Sequence, residues 1–464
     1  MPPLQVDRTA PPPPGELRAF RFPPFLRRTL PGGLTVYAAR LAGVPLVSLE
    51  LIARAGGQHD PTPPISPISK AGLATFTASL LDEGSARRDA LEIAAWIERL
   101  GGYLSSAADW DSAYVAAALL AEHTADGLDL LAEIALSPTF PEPEIERIRR
   151  QRAAELLRRG YDPSSQADDK LFEVIYAGTP YAAPLLGRED TLESLVRDDV
   201  VAFYESHYSL NGATVIAVGD LDPEELIRDV EKTLAPRSGQ EPAPAGPEIN
   251  PAPLDGVVVH VVDRPGASQT ELRLGHAGVK RTDPDYLALT VMNMLLGGKF
   301  TSRINLNLRE RHGYTYGAST RFAGRLGPGP FVVDAAVSTA SAGAAVREVL
   351  GELRRIREEP VEPHEMHETV SYMMGVYPYT LQTIGDVAKR LEVLAVYGLP
   401  DDHYDGYADR LAAATREQIL EAAHRHLHPE RIAVVAVGPA DEVVPQLEGL
   451  GEVTVHRRPE PAAG

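Results

Sequence analysis

The feature that most constrains the fold of this chain is an internal duplication. The tripeptide Ala-Val-Gly occurs at 217–219 and again at 436–438, an offset of 219 positions. At the same offset and without gaps, Arg197 matches Arg416. Each copy predicts an amphipathic helix, a short turn and a buried strand. A chance likeness of two Ala-rich helix ends is the alternative, but one shared offset favours duplication.

A proline-rich segment separates the two copies. Residues 236–255 hold six prolines and almost no periodic apolar residues, which predicts an extended linker. We therefore expect an N-terminal domain over 20–235 and a C-terminal domain over 256–456. The proline-rich residues 1–19 predict a disordered leader. At 464 residues the chain is long enough to bury a sizeable core in each half.

The apolar periodicity predicts an α+β fold, with a mainly antiparallel sheet backed by helices in each half. Strand pairs open both halves, and longer helices follow. In the first half we expect strands near 34–40, 46–54, 103–107 and 112–120, and helices near 70–82, 90–100, 125–136, 143–158 and 166–176. In the second half we expect strands near 257–262, 270–275, 316–322 and 331–338, and helices near 286–296, 302–311, 344–357 and 362–374.

Composition excludes several classes of function. The formal charge is −20, from 45 basic and 65 acidic residues, which argues against nucleic acid as a partner. The absence of Cys excludes disulfides, zinc–thiolate sites and thiol nucleophiles. No stretch reaches the roughly 18 apolar residues of a membrane helix. Because no apolar run of signal-peptide length opens the chain, we expect a cytoplasmic protein, or a periplasmic one if the true start lies upstream.

Several short motifs follow one another in a specific order and spacing. They are Leu30 to Val36, Gly72-Leu-Ala74, Gly101-Gly102, Pro138 to Pro141, and Gly297 to Ile304 followed by Leu308-Arg309-Glu310 and Tyr316. Together they resemble the pitrilysin-like zinc metallopeptidases, the family that includes insulin-degrading enzyme and the mitochondrial processing peptidase. The resemblance spans the chain from about Phe20 to Val453.

The zinc motif of that family is degenerate here. Catalytic members carry His-x-x-Glu-His on the helix after the first strand pair, where the two His bind zinc and the Glu is the general base. Aligned on Gly72-Leu-Ala74, these three positions hold Thr75, Ala78 and Ser79. None of them can bind zinc or activate water. We therefore expect no metal and no cofactor in this chain.

Two further family positions lie in the first half. The distal Glu ligand of the family falls on Glu155, and alone it cannot bind zinc. For Glu155 we favour an ion pair with Arg152 or Arg159 at helical spacing. The substrate-edge Asn of the family falls on Ser105, which weakens any grip of the first half on substrate.

Arg309 and Tyr316 match the Arg and Tyr with which, the resemblance implies, the second half binds substrate beside the scissile bond. A guanidinium and a phenol can hold and polarise a peptide carbonyl, but they cannot activate the attacking water. The alternative is a surface ion pair for Arg309 and a half-buried ring for Tyr316. The matching residues Gly297, Gly298 and Arg303 upstream favour the functional interpretation.

Three other patterns are interpreted as structural. His364-Glu-Met-His-Glu368 lies on a predicted helix without a metallopeptidase register or a third ligand nearby. His424-Arg-His-Leu-His428 lies at a helix end, where such side chains favourably meet the helix dipole. Gly324 and Gly327-Pro-Gly329 lack the Lys-Ser/Thr of a phosphate loop and predict a hairpin.

The resemblance implies the non-catalytic subunit of a heterodimeric zinc peptidase. The partner subunit would supply zinc and the general base through His-x-x-Glu-His, and this chain would supply Arg309 and Tyr316. An unfolded peptide would bind by adding a strand to a sheet edge. Two alternatives stay open: a structural subunit resembling the respiratory core proteins with no peptidase role, and an independent peptide-binding module.

Overall fold

The structure is a computed structural model and describes residues 20–63, 66, 69–234 and 241–457. The leader expected at 1–19 lies outside the described residues. Each half of the chain forms one six-stranded sheet with associated helices.

In the described residues, the first half supplies six strands and eight α-helices. The strands are β1 (Phe25–Thr29), β2 (Thr35–Arg40), β3 (Leu46–Ala53), β4 (Tyr103–Ala108), β5 (Ala113–Leu120) and β6 (Thr214–Gly219). The helices are α1 (Leu73–Ala78), α2 (Ala90–Arg99), α3 (Thr124–Leu136), α4 (Glu142–Tyr161), α5 (Pro163–Ile175), α6 (Glu189–Ser194), α7 (Arg197–His207) and α8 (Pro223–Leu234).

The second half supplies the same number of each. The strands are β7 (Val258–Asp263), β8 (Gln269–Ala277), β9 (Thr315–Phe322), β10 (Pro330–Ser338), β11 (Ala433–Gly438) and β12 (Glu452–His456). The helices are α9 (Tyr286–Asn293), α10 (Arg303–Asn305), α11 (Ala342–Glu358), α12 (Pro363–Val376), α13 (Ile384–Tyr397), α14 (Tyr407–Ala412), α15 (Arg416–His426) and α16 (Ala440–Leu447). Two π-helical segments, Met294–Gly298 and Leu306–Arg311, extend α9 and α10.

The two sheets share the topology of five strands and differ in the sixth, because β1 precedes β2 and is antiparallel to it, whereas β12 ends the second half and is parallel to β7. The strand order is β1-β2-β6-β3-β5-β4 in the first sheet and β12-β7-β11-β8-β10-β9 in the second. Strand β2 is parallel to β6, and β7 is parallel to both β11 and β12, whereas the other neighbours are antiparallel. The predicted α+β fold with mainly antiparallel sheets is confirmed.

The duplication is visible in the interactions as well as in the sequence. Arg197, at the start of α7, donates from Nε to the carbonyl of Phe140 at 2.9 Å. Arg416, at the start of α15, donates from Nε to the carbonyl of Val361. Since these carbonyls lie just before α4 and α12, the two matched arginines fix the same junction in each half.

Each sheet is covered on both faces, and the second cover comes from the other half of the chain. Leu391 of α13 is fully buried in a cluster with Ile216 of the first sheet. Leu171 of α5 is fully buried in a cluster with Val435 of the second sheet. Burying such a side chain contributes roughly 1.5–3 kcal/mol. The sequence predicts helices on one face only, so this exchange of helices is an additional finding.

The β9–β10 hairpin also crosses between the halves, and its turn contains the glycines that predicted it. Arg325 at its tip is only 5% exposed, and its guanidinium carbon lies 3.8 Å from the ring centroid of Trp110. The backbone N–H of Leu326 donates to Asp111 at 2.9 Å. Burial raises the pKa of Asp111 to about 6.

The described part of the expected linker has no helix or strand, but it is not detached from the core. Ile249 is 3% exposed and packs among residues of α5 and the second sheet. Within the described ranges, the helices are all too short or too polar to cross a lipid bilayer.

Candidate functional site

Helix α1, with Ser79 directly after it, holds the positions expected to be a degenerate zinc motif. The start of the helix is fixed by a buried carboxylate. Asp60 accepts hydrogen bonds from the backbone N–H groups of Gly72 and Ala74, both at 2.7 Å. Burial raises the pKa of Asp60 to about 7. Gly72 has φ +91°, and a Cβ there would lie 2.7 Å from the carbonyl oxygen of Leu186. A side chain at this position would therefore be strained.

The guanidinium of Arg152 lies between the two degenerate His positions. Arg152, which is 7% exposed, donates from Nη1 to the hydroxyl of Thr75 at 2.9 Å and from Nη2 to the hydroxyl of Ser79 at 3.1 Å. Ser79 in turn donates to the carbonyl of Thr75 at 2.7 Å. The two polar positions of the motif are therefore tied to one buried cation.

The distal position also meets this cation. An Oε of Glu155 lies 3.6 Å from Nε of Arg152, one of the two ion pairs favoured from the sequence. Burial lowers the pKa of Arg152, while Glu155 raises it. Thr75, Ser79 and Glu155 thus converge on a guanidinium. Ala78, at the general-base position, is fully buried.

These residues do not fit a zinc ion. Aliphatic hydroxyls are not among the ligands that hold zinc in proteins, the single carboxylate is already paired, and a cation lies in their midst. A second cation would be repelled at contact distances. The cluster therefore has a structural role and cannot generate a metal-bound nucleophile.

Strand β4, which carries Ser105, lies beside α1 and forms one outer edge of the first sheet. Ser105 pairs with Ala116 of β5. No described strand pairs with the other side of β4. This edge has backbone N–H and C=O groups that an extended peptide can reach.

Arg309 lies on the π-helical segment after α10. Its guanidinium carbon lies 4.4 Å from the ring centroid of Phe300, and Nη1 lies 3.1 Å from a carboxylate oxygen of Glu310. About a third of the Arg309 side chain is exposed. The segment ends at Arg311, and Gly313 soon after it has φ +65°. An exposed ion pair of this kind contributes about 1 kcal/mol at most, so a ligand can displace it.

Tyr316 lies on β9, the corresponding outer edge of the second sheet. Its side chain is 89% exposed, and it makes no hydrogen bond to another described residue. Nor does a hydrogen bond or a cation–π contact join Tyr316 to Arg309 within the described ranges. Arg309 and Tyr316 therefore both lie near the β9 edge of the second sheet with accessible hydrogen-bond donors, and no described interaction joins them.

Asn305 is a positioning residue that the sequence analysis missed. Its Oδ1 accepts from the backbone N–H of Ala318 at 3.0 Å, and its Nδ2 donates to the carbonyl of Phe300 at 2.6 Å. The first of these bonds connects α10 to β9, the strand that carries Tyr316. Asn305 is 3% exposed. Its signal in the sequence is a polar residue directly after the apolar Ile304.

The first histidine cluster lies on the surface. His364 and His367 are exposed on α12. Glu365 between them accepts two hydrogen bonds of 2.7 Å from Arg303. The carboxylate that could assist metal binding is therefore already paired.

The second histidine cluster brings one member near two carboxylates. His426 Nε2 lies 2.7 Å from Asp285, and ligand atoms of Asp283, Asp285 and His426 lie within 4.8 Å of one another. Arg425 pairs with the same oxygen of Asp285. Since a guanidinium already neutralises this carboxylate, the geometry supports the structural interpretation.

Comparison with known proteins relates both halves to one peptidase family. Residues 48–189 match the model for insulinase (peptidase family M16), and residues 194–373 match the model for the peptidase M16 inactive domain. An uncharacterized zinc protease of Streptomyces coelicolor is 24% identical over 418 residues, which cover 89% of each chain.

Two solved structures share the fold. The crystal structure of a peptidase M16 inactive domain from Pseudomonas fluorescens has a TM-score of 0.82 and 25% identity, and the match covers 89% of this chain and 98% of that one. A protease from Helicobacter pylori has a TM-score of 0.83 and 18% identity, with 90% and 100% covered.

Proposed function

The chain belongs to peptidase family M16, and we propose that it is the non-catalytic, substrate-binding subunit of a heterodimeric zinc peptidase. The observation that carries the proposal is the contrast between its two halves. The position of the zinc motif is filled by the buried guanidinium of Arg152, whereas Arg309 and Tyr316 are accessible. The partner subunit supplies the zinc and the general base through His-x-x-Glu-His.

Arg309 and Tyr316 act on the substrate carbonyl. The guanidinium and the phenol donate hydrogen bonds where negative charge develops as the carbonyl is attacked. Only the weak pair with Glu310 must be displaced from Arg309. Tyr316 needs no such exchange, because its side chain faces solvent.

The substrate is an extended, unfolded peptide. Strand addition to a sheet edge supplies main-chain hydrogen bonds regardless of sequence. Strand β9 offers such an edge and carries Tyr316 itself, so a peptide paired with β9 lies alongside that side chain. The edge of β4 is a second place for the same peptide or for a longer one.

The test is reconstitution with an M16 chain from the same genome that contains His-x-x-Glu-His. We expect a one-to-one complex that holds one zinc and cleaves an unfolded peptide, while this chain alone holds none and cleaves nothing. Zinc is measured by mass spectrometry and assembly by sizing chromatography with light scattering.

The same assay separates the alternatives. A complex that keeps full activity after Arg309→Ala and Tyr316→Phe would indicate the structural subunit. A chain that binds peptide alone and associates with no such partner would indicate the independent peptide-binding module. A tightly bound zinc in the isolated chain would contradict all three.

A further inference from the structure

A cavity of about 680 Å³ lies between the start of α9, helix α13 and the loop that leads into α14. Cavities of this size hold small organic molecules. Its wall combines cationic and aromatic side chains, among them Arg281, Arg390, Arg410, Tyr286, Tyr404 and Tyr407. It lies away from the degenerate zinc motif and from Arg309 in the sequence, and none of those residues lines it.

The three arginines have no carboxylate partner. In the described ranges, no carboxylate oxygen lies within 4.0 Å of their side-chain nitrogens. Arg281 Nη2 instead lies 3.2 Å from His403 Nε2. Arg390 donates to the hydroxyl of Thr380 at 3.0 Å, and Arg410 donates to a backbone carbonyl at 2.6 Å. In a chain with 20 more acidic than basic residues, two half-buried guanidiniums of one cavity, Arg281 and Arg390, without such a carboxylate partner in the described residues indicate a site for an anion.

Acidic as well as basic side chains line the cavity. Asp402, Asp405 and Arg410 are exposed at its rim, whereas Arg281, Arg390 and Asp283 are half-buried. Burial lowers the pKa of His403 to about 4, with further lowering by Arg281 and Arg410, so His403 is neutral at pH 7. Burial raises the pKa of Tyr407, while Arg390 and Arg281 lower it.

Two polar groups of the wall are available to a ligand. Tyr404 is only 4% exposed. Its hydroxyl lies near Arg390 but forms no hydrogen bond of ordinary geometry with a described residue. Oδ1 of Asn293 is also buried without a partner in the described chain. A buried hydroxyl without a partner is destabilising, and a bound acceptor would remove that penalty.

We propose that this cavity binds a small organic anion, with its phosphate or carboxylate group between Arg281 and Arg390 and its apolar part against the aromatic wall. Guanidiniums bind such groups through charge-assisted, often paired hydrogen bonds. The Tyr404 hydroxyl donates to the same group. The rings of Tyr286 and Tyr407 contact the remainder of the molecule.

The test uses the full chain and four probes in isothermal titration calorimetry. Phenyl phosphate and phenylacetate represent the two anionic groups, and inorganic phosphate lacks the apolar part. We expect at least one aromatic anion to bind at least tenfold more tightly than inorganic phosphate and than neutral benzyl alcohol. The preferred aromatic anion identifies the group as phosphate or carboxylate.

Variants assign the binding to this cavity. Arg281→Gln and Arg390→Gln should each weaken binding of the preferred anion at least tenfold, and Tyr404→Phe should weaken it severalfold with the fold intact. Arg40→Gln is the matched control, because Arg40 is an exposed arginine on the first sheet with only a 3.7 Å contact to Asp220. Melting temperatures without ligand identify any variant that fails to fold, in which case Tyr404→Phe decides.

Three results would overturn the proposal. The first is no binding of either aromatic anion at about 10 mM, a concentration well above the dissociation constant of a specific site. The second is binding of benzyl alcohol as tight as that of the aromatic anions. The third is unchanged binding in folded Arg390→Gln or Tyr404→Phe protein. None of these results depends on a partner subunit, so the outcome is independent of the proposed peptidase role.

Discussion

Arg152 donates a hydrogen bond to the hydroxyl of Ser79 at 3.1 Å across 73 positions of sequence. With its bond to Thr75 and its ion pair to Glu155, it connects three positions that the family resemblance predicts to be degenerate zinc ligands. The guanidinium therefore satisfies the polar groups at these positions. Introducing histidines at Thr75 and Ser79 alone should therefore not create a metal site.

The first prediction follows from this arrangement. Thr75→His with Ser79→His should bind zinc at least tenfold more weakly than the same pair combined with Arg152→Ala, because the guanidinium repels the metal and occupies its space. Competition with a chromophoric chelator measures the affinity. Arg159→Ala in place of Arg152→Ala is the matched control on the same helix. Equal zinc affinity with and without Arg152 would contradict the arrangement.

The second prediction concerns Arg309 and Tyr316 in the reconstituted complex. Losing one oxyanion donor costs about a hundredfold to a thousandfold in kcat, roughly 3–4 kcal/mol, so Arg309→Ala and Tyr316→Phe should each lower kcat by that order. Tyr316 is 89% exposed, so its substitution should leave the melting temperature nearly unchanged. A rise in KM alone would indicate ground-state binding. Arg311→Ala and Tyr379→Phe, both at exposed positions, should retain full activity.

Much of the framework could be predicted from the sequence. The offset of 219 reappears in the bounds of β6 and β11, which start at Thr214 and Ala433. Helix α5 was expected over 166–176 and occupies Pro163–Ile175. The sequence could not show that α5 covers the second sheet, since periodicity reports that a helix has an apolar face and not what covers it. Helix α13 was not expected, although its buried residues Val387, Leu391 and Leu394 follow helical spacing.

Only part of the candidate site could be predicted from the sequence. Local spacing suggested that Arg152 pairs with Glu155, but it could not show the bonds to α1. A signal was present, because Ile145, Ile148 and Arg152 follow helical spacing and are the buried residues of α4. An arginine in an apolar stripe needs buried acceptors. The helix expected over 70–82 is also shorter, since α1 spans Leu73–Ala78 after the left-handed Gly72.

The third prediction follows from the exchanged helices. Residues 20–234 and 241–457 expressed separately should each fail to give cooperative unfolding, because each half lacks the helix that covers one face of its sheet. Co-expressed, the two should associate into a folded complex. A full chain cleaved at a protease site inserted near residue 240 is the control and should stay folded. A half that unfolds cooperatively by itself in urea would show that the exchanged helices are dispensable.

The fourth prediction concerns Glu50 of β3, which lies against α13 and is only 8% exposed. Burial raises the pKa of Glu50 from 4.5 to about 8; Glu392 raises it further, and Lys389 lowers it. Because the folded pKa exceeds the unfolded one, the stability contributed by the protonated form is fully present below about pH 4.5 and is lost as the pH rises through about 8. Glu50→Gln stays neutral throughout. From about pH 5 to about pH 9, the free energy of unfolding of the wild type should therefore fall relative to that of Glu50→Gln, by on the order of a few kcal/mol.

Urea unfolding of both proteins at several pH values across this range measures the difference, and other titrating groups cancel in the comparison. Glu392→Gln provides a second variant, because removing a neighbouring negative charge should lower the pKa of folded Glu50. The loss of stability should then be smaller and should be complete at a lower pH. Parallel stability profiles for the wild type and Glu50→Gln would mean that Glu50 is ionised at neutral pH, and that Lys389 and solvent stabilise its charge at the contact between β3 and α13.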